Sequence, residues 1–133
     1  MPEPFRRHGV PATPGALRRV RHDLMAWVLA AGVDDDRAGD IVLASYEALA
    51  NVADHAYDDA EPGVVDVDAA LHLGRLEVVI TDHGQWRTPV PDTRPVSLRG
   101  RGLLLLRASA DQADITSGDT GTVVTLTWDL DAR

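Results

Sequence analysis

The chain contains no cysteine and no lysine. Without cysteine there is neither a disulfide framework nor a thiolate nucleophile, a composition that fits a reducing compartment. Without lysine, a Walker A phosphate loop and a Schiff-base mechanism are both excluded, so any nucleotide has to be held by other means. No apolar run approaches the length needed to cross a bilayer, and the opening M-P-E-P-F-R-R-H-G-V lacks the apolar core of a secretory signal. These two features predict a soluble, cytoplasmic protein with no membrane partner. Positive charge is scarce: 13 basic residues, all arginine, face 21 acidic ones, for a net charge of -8. That balance argues against direct nucleic-acid binding and points to a protein partner or a small ligand. The exception is the stretch 87–107, which holds Arg87, Arg94, Arg99, Arg101 and Arg107 and is where a phosphate would be welcomed.

What is present reads as one ordinary domain spanning residues 1–133, with 44% hydrophobic and 26% charged residues. Residues 1–12 hold three prolines and little periodicity, which predicts an arm or a short edge strand. Thr13-Pro14 is a helix-starting pair, and Leu17, Val20, Leu24, Trp27, Val28 and Ala31 recur at helical spacing up to Gly32. Asp34, Asp35 and Asp36 suit the positive end of a second helix reaching about Asp54, with Ala38, Ile41, Val42, Ser45, Leu49 and Val52 as its apolar stripe. The period then changes from 3.6 to 2. Val65, Val67, Ala69, Leu71 and Leu73 mark the buried side of one strand, and Leu76, Val78 and Ile80 that of a second, joined through a turn at Gly74-Arg75. Residues 84–98 are proline-rich and without period, as expected of a lid or binding loop. A short helix after Gly102 and a closing hairpin built on 113–117 and 122–130 complete the reading. Runs of helix and of antiparallel strand, without regular βαβ alternation, predict an α+β two-layer sandwich with helices on one face of a mostly antiparallel sheet.

Three places carry candidate chemistry. On the second helix Glu47, Asn51 and Asp54 fall at i, i+4 and i+7, which puts a carboxylate and an amide on one side about a turn apart. A carboxylate accepts protons and an amide oxygen is a hard ligand for magnesium; an ordinary solvated acidic face would share this pattern. In the second strand, parity carries the apolar face on to Asp82, an inward carboxylate that needs donors, for which the amine of adenine and a turn cap through Gly84 are both open. Thr122 shares the parity of Val124 and Leu126 in the last strand. Gly100-Arg101-Gly102 precedes a helix, so its backbone N–H groups either face an anion or form a hinge. His55 and His83 border this region without any zinc-ligand spacing.

In this order, E-A-L-A-N-V-A-D-H-A-Y, Asp82-His83-Gly84, Gly100-Arg101-Gly102-Leu103 and Gly121-Thr122-Val123-Val124 resemble the N, G1, G2 and G3 boxes of the GHKL, or Bergerat-fold, ATPases. The small size and the segment S-L-R-G-R-G-L look most like the bacterial anti-sigma factor serine kinases. The resemblance implies ATP and Mg2+ as cofactors and a lid over 84–99. It implies Asn51 as magnesium ligand, Glu47 as general base, and Asp82 as acceptor of the adenine amine with Thr122 beside it. Gly84, Gly100, Gly102 and the Leu103 backbone would line the nucleotide, with Arg101 as a phosphate partner. It further implies a serine/threonine kinase acting on an anti-anti-sigma (STAS) protein, a sigma factor as second partner, and a homodimer. The chain departs from the pattern at Trp86, where the G1 box usually has glycine, and at Asp54, where many relatives have a basic residue. Those departures are what a non-catalytic nucleotide-binding module that sequesters its partner would show.

Overall fold

The structure, a computed structural model, describes residues 3–56, 63–82, 110–118 and 121–130, with the backbone alone at 51–56, 117 and 118. Strand β1 (Phe5–Pro11) leads to helices α1 (Pro14–Ala30) and α2 (Asp35–Ala56). Strands β2 (Val64–His72), β3 (Arg75–Asp82), β4 (Gln112–Gly118) and β5 (Gly121–Asp129) follow. The five strands form one sheet in the order β1-β2-β3-β5-β4, and every pairing is antiparallel. Both helices lie on one face, α2 over β3 and β5 and α1 between α2 and β1. This is the two-layer α+β arrangement expected from the change of period.

Local chemistry sets the helix ends. The Thr13 hydroxyl accepts the Ala16 N–H at 3.3 Å, and Pro14 fills the first turn, where its missing N–H costs nothing. α1 stops at Ala30, slightly short of Gly32, because Gly32 adopts φ +98° and lets Val33 N–H turn back to Val28 O at 3.4 Å. Asp34 then caps α2 by accepting the Arg37 N–H at 2.9 Å, with Asp35 and Asp36 in the first turn. α2 runs on to Ala56, past the expected end near Asp54.

The expected faces are largely the buried ones, but Leu73, expected to extend the inner row of β2, lies beyond the strand in the turn and is 79% exposed. Leu17, Val20, Leu24 and Val28 of α1 and Ala38, Ile41, Val42, Ser45 and Leu49 of α2 meet Val65, Val67, Ala69, Leu76, Val78, Ile80, Val124, Leu126 and Trp128 of the sheet. Each large side chain so removed from water stabilises the fold by about 1.5–3 kcal/mol. The first residues form an edge strand: Phe5 is buried, and β1 pairs with β2 from Phe5↔Ala69 to Pro11↔Val64 across a bulge. Trp27 is only partly buried, its indole N–H donating to Glu3 O at 2.8 Å and its ring 6.1 Å from Phe5. The β2–β3 turn sits one residue earlier than the sequence suggested. Leu73 and Gly74 are its two loop residues, both with positive φ (51° and 78°), as a type I′ hairpin requires.

Candidate functional site

Asp82 ends β3 on the face that buries Leu76, Val78 and Ile80, and it is itself only 1% exposed. Across the ladder it faces Thr122, the second residue of β5, which is 2% exposed. The Thr122 N–H donates to Asp82 Oδ2 at 3.2 Å. Strand register thus brings together two groups 40 residues apart in sequence, a buried carboxylate and a buried hydroxyl, at one corner of the inter-layer space. Burying a carboxylate costs several kcal/mol unless donors surround it, and the Thr122 N–H is one such donor.

Helix α2 runs toward the same corner. Near its start Arg37 Nη2 lies 3.4 Å from the Asp129 carbonyl oxygen, and Asp129 is the ladder partner of Arg75 at the beginning of β3. Farther along, Ser45 and Leu49 share a small apolar gap with Val67 and Ile80. From Arg37 to Leu49 the helix advances ~18 Å, and from Arg75 to Ile80 the strand advances ~16 Å, so the two elements run in the same direction nearly in step. Two residues beyond these points stand Asn51 on the helix backbone and Asp82 on the strand. Glu47, half-buried, precedes Asn51 by one turn.

Of the residues singled out in the sequence, Glu47, Asp82 and Thr122 are described with their side chains, and Asn51 by its backbone in α2. Gly84, Gly100, Arg101, Gly102 and Leu103 lie outside the described residues, as do the lid over 84–99, the short helix after Gly102, the arginines of 87–107, His83 and Trp86, and the side chains of Asp54 and His55. The structure adds a second cationic region. A furrow of about 360 Å³ between α1 and α2 is walled by Arg18, Arg21 and His22 and floored by Met25, Val42 and Leu43, with Leu43 49% exposed. Its signal was the run R-R-V-R-H at 18–22, which helical spacing splits between a buried Val20 and cations on the outer side.

The model of the histidine kinase-like ATPase domain matches residues 10–128. The chain belongs to that family. Its members include the GHKL ATPases that the N, G1, G2 and G3 boxes resemble, and the helix-on-sheet architecture agrees. Among individual relatives, the serine-protein kinase RsbW of Halalkalibacterium halodurans is 33% identical over 108 residues, covering 72% of this chain and 65% of that protein. RsbW of Bacillus velezensis is 29% identical over 130 residues, covering 89% and 81% respectively. The solved structure of the RsbU and RsbW domains of a Mycobacterium tuberculosis protein superposes on 96% of this chain with a TM-score of 0.76 and 31% identity. The chain spans 32% of that mycobacterial protein and just under two thirds of the H. halodurans kinase. No helix among the described residues is long and apolar enough to cross a membrane.

Proposed function

We propose that this chain is an ATP-binding anti-sigma factor with serine/threonine kinase activity toward an anti-anti-sigma protein of the STAS type, working in the cytoplasm by partner switching. The observation that carries the reading is the buried Asp82–Thr122 pair at the corner toward which α2 advances. The donor set fits the implied group: a carboxylate and a hydroxyl can hold the amine edge of a purine, and an amide oxygen can hold magnesium. Asp82 would accept the adenine amine with Thr122 beside it, and Asn51 would hold Mg2+. The backbone at Gly84, Gly100, Gly102 and Leu103, with Arg101, would line the phosphates. Bound ATP with its magnesium ion would supply the transferable phosphoryl group. Glu47 would orient the substrate hydroxyl and take its proton as the oxygen attacks, a role worth about 10²–10⁴ in rate.

Partner binding has its own surface in this proposal. The furrow edged by Arg18, Arg21 and His22 is cationic in a chain of net charge -8, and its apolar floor suits an acidic amphipathic partner surface. A partner that prefers one nucleotide state shifts that state reciprocally, which is the thermodynamic basis of switching. The departures at Asp54 and Trp86 favour the second reading, a module that binds nucleotide and sequesters a partner without phosphorylating it. Incubation of purified protein with labelled ATP, Mg2+ and a STAS domain separates them. Transfer of label that disappears in Glu47→Ala supports the kinase, nucleotide binding without transfer supports the module, and failure to bind nucleotide rejects both.

A further inference from the structure

We infer that Arg37 is a positioning residue that locks α2 in register along the sheet and thereby places Glu47 and Asn51, although it stands far from both. Four of the seven buried residues of α2 described with side chains are small, Ala38, Ala44, Ser45 and Ala48, set among Ile41, Val42 and Leu49. Small side chains leave shallow ridges, so packing alone resists sliding or rotation of the rod only weakly. Arg37 supplies the missing stop. Its guanidinium lies 3.4 Å from Asp129 O and 3.9 Å from Asp111 Oδ2, so one side chain of the first helical turn contacts the last residue of β5 and the residue that leads into β4. The grip is stiff on the sheet side, because Asp111 Oδ2 also accepts the Asp129 N–H at 2.5 Å and Asp111 N–H donates to Thr127 O at 2.9 Å. The Arg37 side chain is 29% exposed and that of Asp111 54% exposed, so the contact lies at the surface of the sheet's end.

The consequence for function rests on the proposed kinase reading. Asp82 and Thr122 belong to the ladder and stay in place when the helix shifts, whereas Glu47 and Asn51 travel with it. Losing the grip should therefore lower turnover and leave recognition of the nucleoside intact.

The test uses the full chain, whose lack of cysteine allows clean spin labelling through Leu43→Cys on α2 and Glu77→Cys on β3. In Arg37→Gln and in Asp111→Asn the inter-label distance distribution should broaden or move by about the helical rise of 1.5 Å or more. Turnover should fall at least about fivefold, adenosine affinity should stay within about twofold, and Arg37→Lys should restore part of the loss. Unchanged distance distributions would overturn the proposal, as would adenosine affinity falling in parallel with turnover. If the unmutated protein shows no turnover, the kinase reading fails by itself, and the distance distributions still decide the role of Arg37.

Discussion

The two halves of the proposed cleft are built on different physical terms. The sheet half is held by an unbroken ladder from Arg75↔Asp129 to Asp82↔Thr122, and a slip of either strand by one residue would turn its site group and its buried row to solvent. The helix half rests on a mixture of small residues (Ala38, Ala44, Ser45, Ala48) and larger ones (Ile41, Val42, Leu49) and keeps Glu47 only half-buried. A rigid, dry corner suits recognition of a flat base, while a helix with room to adjust suits a proton acceptor that must meet a second protein. Recognition and chemistry are thus assigned to different layers, and mutations should separate them.

The largest separation is expected from Glu47→Ala. Phosphoryl transfer to a STAS substrate should drop by about 10²–10⁴ while ATP affinity changes by less than about threefold, because a general base acts in the transition state. Steady-state kinetics beside a nucleotide titration would show it, and a parallel loss of binding would erase the distinction between the halves. Trp128→Ala tests the layer that both halves share. Trp128 is 1% exposed in the core of β5, and its truncation should cost about 3–5 kcal/mol in chemical denaturation, enough to damage both functions together. A loss below about 1 kcal/mol would mean that the sheet is not the rigid half.

A smaller effect is expected at the far end of the sheet. Leu73 holds φ +51° while 79% exposed, a conformation that costs a branched side chain about 1 kcal/mol. Leu73→Asn should therefore raise stability by about that amount without altering nucleotide affinity. Thermal melts and the same titration check both statements, and a changed affinity would show that the two ends of the ladder are coupled.

Much of the sheet half was legible in the sequence because period-2 alternation carries faces directly: Leu76, Val78 and Ile80 fixed the side on which Asp82 would lie, and Val124 and Leu126 did the same for Thr122. That Thr122 would lie beside Asp82 was implied by the family resemblance alone, since ladder register is a property of both strands and spacing does not reveal it. The β2–β3 turn was placed one residue late because leucine is a poor residue for positive φ and gives no turn signal. The contact of Arg37 with Asp129, 92 residues apart, left no trace in spacing or composition. The N-cap region of α2 was recognised through its acids, but Arg37 among them reads as an ordinary surface cation.

The most direct measurement is calorimetric titration of ATP with magnesium into the unmutated protein and into Asp82→Asn. The proposed function predicts saturable binding by the former and an affinity at least about tenfold weaker in the latter, with the folded state of both confirmed by melting. Equal affinity in the two proteins would contradict the assignment of the buried Asp82–Thr122 corner to the adenine.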